Sequence, residues 1–295
     1  GESVLNARVD RGETVVAAWC PPDGDGPRVD RLKAASDKQG VPVFQFKRMR
    51  DREAIDAFRG LSADLCVMAF VTDIVPGDIL NAPTHGTIQY HPSLLPKHRG
   101  PSSINWPIIQ GESRTGLTVF WPDEGLDTGP ILLQKQVDIA PDDTLGSLYF
   151  DKLFPLGVDA MVEAVDMVRD GAARRTVQDE SQATYEGWCR PEDVIVDWGR
   201  TLGEIYNLIR GSDPSPGAGT TYKGGKIRFY GTERRPDGTG RRPGEVAEVL
   251  DRGFAVAAQG GSLLVRRVQP GGERKVAASE WAAATGLTVG DRFGA

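Results

Sequence analysis

Residues 64–70 read Asp-Leu-Cys-Val-Met-Ala-Phe, a short run that is apolar on both faces of a strand. Strands buried on both faces are typical of parallel sheets that are covered by helices. Other short β-rich runs lie at residues 14–20, 41–46, 87–90, 117–121 and 131–139, and helical patterns lie at residues 2–10, 29–39, 51–61 and 144–169. This alternation predicts an α/β domain with a doubly wound, mostly parallel sheet.

The sequence changes in character near residue 189. Residues 1–189 carry 19 basic and 28 acidic side chains, a net charge of −9, whereas residues 190–295 carry 16 and 13, a net charge of +3. Beyond the change there is one helical pattern, at 201–210, and then short β-like runs at 222–229, 244–250, 254–257 and 262–268. We therefore predict two domains, residues 1–189 and residues 190–295, the second being a small, OB-like β-barrel.

Composition excludes several classes of protein. The chain has 295 residues and a net charge of −6, with 39% apolar and 26% charged residues, as is usual for a globular protein. It has no apolar run near the roughly 18 residues that a membrane span needs, and no secretory leader pattern. Cys20, Cys66 and Cys189 form neither a disulfide framework nor a Cys-x-x-Cys pair, which favours a cytoplasmic location. The acidic balance argues against a dedicated nucleic-acid binder.

The start of the chain is unusual for this class of fold. A helical pattern at residues 2–10 opens the sequence, no strand precedes it, and Gly1 is not an initiator methionine. Doubly wound domains normally begin with a strand. We therefore expect a first strand and turn to be missing from this sequence, and the chain to be part of a longer one.

The three histidines, His85, His91 and His98, lie within fourteen residues of one another. Their spacing matches no standard zinc pattern and no cysteine is near, so no metal site is expected. His91 has a distinctive setting, because Pro92 and Pro96 restrict the loop that follows the strand at 87–90. Ligands of parallel sheets bind beyond the carboxyl ends of the strands, where this loop should emerge. His91 is therefore a candidate acid or base.

A second candidate lies in the acidic, glycine-rich turn at residues 123–130. Asp127 follows His91 by 36 residues, with one helical pattern and one strand between them. That separation should bring both loops to the same edge of the sheet. A histidine and an aspartate that meet there form a proton-handling pair.

The two blocks around His91 and Asp127 resemble the folate-dependent formyltransferase family. Within that family, the chain is most similar to the hydrolase domains that begin 10-formyltetrahydrofolate dehydrogenases, and it is also similar to methionyl-tRNA formyltransferases. The motifs are YHPSLLPKHRG at 90–100, SINW at 103–106, FWPDEGLDTG at 120–129, LLQK at 132–135, LFPLG at 153–157, TYEG at 184–187, IRG at 209–211 and PGA at 216–218. The resemblance covers nearly the whole chain and implies the family's Rossmann-like fold.

The resemblance also implies a set of catalytic residues. His91 matches the family histidine and Asp127 the family aspartate, while Gln89 stands where the family has asparagine. The formyl donor implied is 10-formyltetrahydrofolate. A protonated His91, with Gln89, is expected to stabilise the negative oxygen of a tetrahedral intermediate, and Asp127 is expected to orient the nucleophile and accept its proton.

The resemblance places the folate beside two segments. Phe70, Val71 and Thr72 follow the strand at 64–70, and the turn supplies Asp123, Glu124 and Gly125. The formyl acceptor stays open among an amine, water and methionyl-tRNA.

Two other classes of function are alternatives. One is a folate-binding module without turnover, supported by Gln89 and by the expected missing start; the presence of both His91 and Asp127 counts against it. The other, a nucleotide-binding α/β protein, is disfavoured because neither Gly-x-Gly-x-x-Gly nor a phosphate-binding loop motif is present. A transfer RNA acceptor would call for a basic surface, for which Arg234, Arg235, Arg241 and Arg242 are the candidates.

Overall fold

The computed structural model describes residues 1–24, 29–71 and 73–294. The chain forms two compact units, each assembled from separate stretches of sequence. The first comprises Gly1–Pro101, Gly116–Val137 and Leu153–Tyr185, and the second comprises Ser102–Thr115, Asp138–Lys152 and Glu186–Ala295. Among the described helices, none combines the length and the apolar character that crossing a membrane requires.

The helices and strands follow one another along the whole chain. The helices are α1 (Glu2–Asp10), α2 (Arg31–Gln39), α3 (Arg52–Gly60), α4 (Gly77–Leu80), α5 (Asn105–Ile109), α6 (Leu145–Ser147), α7 (Phe154–Arg169), α8 (Leu202–Gly211) and α9 (Ala278–Thr285). The strands are β1 (Ala18–Trp19), β2 (Val43–Phe44), β3 (Cys66–Met68), β4 (Thr87–His91), β5 (Arg114–Phe120), β6 (Ile131–Asp138), β7 (Ala218–Tyr222), β8 (Gly225–Arg235), β9 (Val246–Leu250), β10 (Gly253–Ala258), β11 (Gly261–Pro270) and β12 (Val276–Ala277).

Parallel strand pairs organise the first unit. β1 pairs with β2 in parallel, and a separate four-stranded sheet has the order β3-β4-β5-β6. β3 and β4 are parallel, with Met68 opposite Gln89, whereas β4 and β5 are antiparallel, with His91 opposite Thr118. The predicted α/β class is confirmed. The parallel pairing of β3 and β4 puts their carboxyl ends side by side.

The alternation of side chains along β4 separates the core from the candidate site. Ile88 is fully buried in a cluster with apolar residues of β5 and α7. A Cβ atom on Gly157 would lie 2.8 Å from the Tyr90 ring, so α7 approaches β4 closely at this glycine. Because successive residues of a strand point to opposite faces, Gln89 and His91 project from the face opposite Ile88 and Tyr90.

The long helix expected over residues 144–169 is interrupted. Its start is as predicted, because the Thr144 side chain accepts a hydrogen bond from the Ser147 backbone N–H. Leu148–Leu153 then form a π-helix, and α7 begins with Pro155 in its first turn. Proline has no N–H for the carbonyl one turn earlier and crowds it, so regular α-helical bonding cannot run through this point.

The second unit is an antiparallel sheet led by α8. Thr201 and Glu204 form a capping box at the start of α8, each side chain accepting from the other's backbone N–H. The strand order is β7-β8-β11-β10-β9, with β12 beside β11. The strand expected at 222–229 is instead a hairpin, because Lys223 and Gly224 both have positive φ, 48° and 76°. Two such residues between strands form a tight reversal.

The predicted β-barrel is not closed by direct strand pairing among the described residues. β7 and β9 stand at opposite edges of the sheet. A segment near the carboxyl end joins them: Phe293 bridges to Tyr222 and Arg292 bridges to Glu245. The unit is therefore an antiparallel sheet whose edges are connected by single bridges. This feature depends on contacts between distant parts of the sequence, and the run of short strands alone does not specify it.

Candidate active site

His91 ends β4 and is 5% exposed. Its Nε2 atom lies 2.8 Å from the backbone carbonyl of His98. A carbonyl oxygen only accepts, so Nε2 carries the proton and donates to it. The other ring nitrogen, Nδ1, lies 3.5 Å from Oδ2 of Asp127. The structure thus brings together the two side chains that the sequence placed at one edge of the sheet.

Hydrogen bonds fix the loop that follows His91 at several positions. Ser93 Oγ donates to the Lys97 carbonyl at 2.6 Å, and the Ser93 carbonyl accepts from Thr118 Oγ1 at 2.7 Å. The Leu95 carbonyl accepts from Gln134 Nε2 at 2.8 Å. Ser93 is therefore part of the scaffold that holds the loop.

Asp127 sits in a conformation that non-glycine residues rarely adopt. Its φ is +57° and its side chain is 6% exposed. Oδ2 accepts a hydrogen bond from the Gly100 backbone N–H at 2.8 Å. A left-handed residue of this kind costs roughly 1–3 kcal/mol and persists only where the surroundings impose it. The carboxylate is therefore held toward His91 by the surrounding fold.

The turn before Asp127 is built around Asp123. Asp123 Oδ1 accepts from the Gly125 backbone N–H at 3.0 Å and from Thr128 Oγ1 at 2.6 Å. A Cβ atom on Gly125 would lie 2.0 Å from Thr128 Oγ1, so only glycine fits there. Glu124 is exposed. Of the three turn residues expected to meet folate, Asp123 and Gly125 thus shape the turn itself.

An exposed apolar rim follows β3, beside the end of β4. Phe70 is 79% exposed with a φ of +60°, Val71 is 36% exposed, and Ile74 is 82% exposed. Thr72, the third residue expected in this group, lies outside the described residues. Apolar side chains kept in solvent at the carboxyl edge of a sheet are typical of a ligand site.

Gln89 shares the face of β4 that carries His91. It is half-buried, opposite Met68 of β3 and Phe120 of β5. Its amide has no hydrogen-bond partner within the part of the chain that the structure describes. The N–H donors of Gln89 are therefore available to a ligand on this face.

Burial lowers the pKa of His91 below its ordinary value, and the nearby Asp127 carboxylate opposes that effect in part. We therefore expect His91 to be neutral at neutral pH, with its proton on Nε2. This differs from the protonated histidine expected from the sequence. The lone pair on Nδ1 faces the Asp127 carboxylate, so the pair is arranged to accept a proton.

Of the other two histidines, His98 is the one that interacts with His91 among the described residues, and its charge would lower the pKa of His91 further. His85 is exposed, at the start of the segment leading into β4, and His98 contributes its backbone carbonyl to His91. Among residues 1–24, 29–71 and 73–294, no three histidine, cysteine or acidic side chains are grouped as a metal site.

Two residues of the site were missed by the sequence analysis. Gln178 Nε2 donates to the Asp127 carbonyl at 2.9 Å, and Gln178 Oε1 accepts from Arg99 Nη2 at 2.8 Å. Gln178 lies 51 residues beyond Asp127 in a segment without helical or strand periodicity, so its position gave no signal. Arg99 follows the His91 loop directly, but its partner could not be found from spacing.

The chain belongs to the formyl transferase family. Residues 4–165 match the family called Formyl transferase, and residues 189–286 match the family called Formyl transferase, C-terminal domain. The first match contains β4, the His91 loop and the turn with Asp127. The resemblance seen in the sequence motifs is therefore confirmed.

Two members of the family with known names are similar to this chain over nearly its whole length. The chain is 41% identical over 305 residues to the mitochondrial 10-formyltetrahydrofolate dehydrogenase of Mus musculus, covering 98% of this chain and 33% of that protein. It is 35% identical over 295 residues to the methionyl-tRNA formyltransferase of Geobacter sulfurreducens, covering 98% of this chain and 92% of that protein. The chain thus spans about a third of the length of the mouse dehydrogenase.

A solved structure shares the fold. The crystal structure of WlaRD, a sugar 3N-formyl transferase in the presence of dTDP and 5-N-formyl-THF, matches with a TM-score of 0.69 at 16% identity. The match covers 92% of this chain and 94% of that one.

Proposed function

We propose that this protein removes the formyl group from 10-formyltetrahydrofolate and transfers it to water or to an amine. The observation that carries the proposal is the buried pair of His91 and Asp127, 3.5 Å apart at the carboxyl end of β4. The Gln89 amide projects from the same face of that strand. This arrangement supplies a proton acceptor and a hydrogen-bond donor around one point, as formyl transfer requires.

In the proposed reaction, a water or amine attacks the formyl carbon and its proton passes to the pair of Asp127 and His91. The formyl oxygen becomes negative in the tetrahedral intermediate. The Nε2 proton of His91 already serves the His98 carbonyl, so the Gln89 amide is the side-chain donor for that oxygen. The bond from carbon to N10 then breaks, and N10 takes the stored proton. The products are tetrahydrofolate and formate, or tetrahydrofolate and a formamide.

The folate would lie against the apolar rim and the turn. Phe70 and Val71 offer exposed apolar surface next to the end of β4, which suits the planar pterin ring. Glu124 and the backbone of Asp123 and Gly125 would contact the folate from the turn. Folate recognition by these residues, and by Thr72, is part of the proposal.

Water is the first candidate for the formyl acceptor. The 41% identity to the mouse dehydrogenase covers nearly all of this chain, which supports a hydrolytic role. Methionyl-tRNA is the second candidate, because the relative from Geobacter matches over 92% of its length. Two of the arginines considered for tRNA form ion pairs with acidic side chains: Arg235 lies 2.8 Å from Glu248 and Arg234 lies 3.7 Å from Asp142.

A cytoplasmic location, inferred from the cysteines, also stays a proposal.

The test is tetrahydrofolate release from 10-formyltetrahydrofolate, measured by absorbance with no acceptor and then with a panel of amines and methionyl-tRNA. Steady release without acceptor is the expected result. Release only with one acceptor would assign a transferase. Tight folate binding without release under every condition would contradict the proposal and indicate a binding module.

A further inference from the structure

Three consecutive residues hold the two members of the candidate pair. The carbonyl of His98 accepts from His91, and the N–H of Gly100 donates to Asp127 Oδ2. The side chain between them, Arg99, is 7% exposed and points to Gln178. Gly100 has a φ of +110°, a conformation that requires glycine. The segment His98-Arg99-Gly100 is therefore a common support for both side chains.

Gln178 is buried and uses both ends of its amide. Its Nε2 donates to the carbonyl of Asp127 at 2.9 Å and to the carbonyl of Gly129 at 2.7 Å. These two carbonyls flank Thr128, so one side chain spans the turn. Its Oε1 accepts from Arg99 Nε at 3.2 Å and Nη2 at 2.8 Å. At 5% exposure, an amide that lost these bonds would leave buried polar groups unpaired.

Arg99 is fixed in turn by a carboxylate. Its Nη1 and Nη2 atoms lie 2.9 and 2.6 Å from the two carboxylate oxygens of Glu180. This two-point pairing orients the planar guanidinium. The remaining edge of the guanidinium faces Gln178, so the orientation of the amide follows from that of Arg99.

The conformation of Asp127 needs such a support. A non-glycine residue at a φ of +57° relaxes unless its surroundings hold it. The carboxylate bond to Gly100 fixes the side chain, but the bonds from Gln178 are the ones that fix its carbonyl and the carbonyl of Gly129. Loss of the bonds from Gln178 removes the hydrogen bonds to these two carbonyls and weakens the hold on Asp127 beside His91.

We infer that Gln178, oriented by Arg99, is a positioning residue that keeps the Asp127 carboxylate at His91. The inference rests on the proposed function for its kinetic consequence. A misplacement of about 1 Å in such a pair costs up to about 10²-fold in rate. The bonds from Gln178 reach Asp127 and Gly129, beyond the Asp123–Gly125 part of the turn that is proposed to border the folate. The loss should therefore fall mainly on kcat and leave the KM for 10-formyltetrahydrofolate nearly unchanged.

The test compares Gln178→Met with Gln182→Met. Both replace a glutamine by an apolar side chain of similar length in one short segment, but Gln182 is exposed and its amide donates to Asp179. We expect kcat to fall by about 10-fold to 100-fold in Gln178→Met, with KM within about threefold of wild type. A kcat for Gln178→Met within about twofold of that for Gln182→Met would overturn the inference.

A second measurement separates this inference from the proposed function. The imidazole NMR titration of His91, assigned by its loss in His91→Asn, reports the nearby carboxylate without any turnover. If Asp127 moves away, the midpoint for His91 should drop, because Asp127 raises the pKa of His91. If wild type shows no turnover but the His91 midpoint is lower in Gln178→Met than in wild type, the proposed function is refuted and the inference stands. An unchanged midpoint would refute the inference.

Arg99→Lys is the second test variant if Gln178→Met does not fold. Lysine retains the charge beside Glu180 but cannot serve Gln178 and Glu180 with one planar group. We expect kcat to fall by less than in Gln178→Met, and the titration midpoint of His91 to be lower than in wild type. Wild-type values for both would contradict the inference.

Discussion

Replacing Gln89, which stands where the family resemblance implies asparagine, tests the chemistry of the site. The Nε2 proton of His91 is engaged by the His98 carbonyl, 2.8 Å away, so we propose the Gln89 amide as the side-chain donor to the developing oxyanion. Gln89→Met keeps the length of the side chain and removes that donor. Loss of one such donor typically costs about 10²–10³ in kcat, or about 2.7–4 kcal/mol of transition-state stabilisation.

A variant with a shorter amide, Gln89→Asn, shows how strongly the rate depends on the position of the donor. Gln89→Asn restores the residue type that the family resemblance implies but withdraws the donor by one carbon–carbon bond, about 1.5 Å. We expect its kcat to lie between those of wild type and Gln89→Met. KM should change little in both variants, because the interaction forms in the transition state.

The assay is tetrahydrofolate release at saturating and at limiting 10-formyltetrahydrofolate. Gln39→Met, at the exposed end of α2, is the matched control and should behave as wild type. A kcat for Gln89→Met within about threefold of the control would refute the assignment of the oxyanion donor.

Four further predictions concern the pair and the fold. Because burial lowers the pKa of His91 below 6.5, the unfolded chain binds a proton there that the folded chain does not, so stability should decline as pH falls through 6.5. Chemical denaturation of His91→Asn should show a weaker decline over that window, and equal slopes would count against the lowered pKa. Gly129→Ala places a Cβ atom 1.8 Å from the Trp121 carbonyl and should lower the free energy of unfolding by about 1–3 kcal/mol, as seen in denaturant titrations. Thr201→Ala removes the cap of α8 and should cost about 1 kcal/mol in the same assay, with turnover unchanged; a loss of turnover would show that α8 influences the site. Burial raises the pKa of Tyr206 to about 12, so a spectroscopic titration of wild type against Tyr206→Phe should show no difference below about pH 11.

Local patterns in the sequence predicted the parts of the fold that local chemistry decides. The apolar run at 64–70 contains β3, and the predicted strand at 87–90 is β4 with one more residue. The helix predicted at 201–210 is α8 with its capping box. Each depends on residues within a few positions of one another, which sequence periodicity can detect.

Where the prediction differed, a single residue or a distant contact was responsible. Pro155 interrupts the helix expected over 144–169, and Lys223 with Gly224 turns one expected strand into a hairpin. The support of Asp127 by Gln178 and Arg99 joins residues 79 apart in the chain. No local pattern encodes such a pairing, so it emerges only from the folded structure.

We propose that the His91–Asp127 pair performs formyl transfer. The most direct test measures turnover and folate binding together in Asp127→Ala, with Asp56→Asn, an exposed carboxylate on α3, as control. Loss of the base should lower kcat by about 10²–10⁴ while the Kd for tetrahydrofolate stays close to wild type. The control should match wild type in both quantities. Turnover in Asp127→Ala equal to that of Asp56→Asn would contradict the claim.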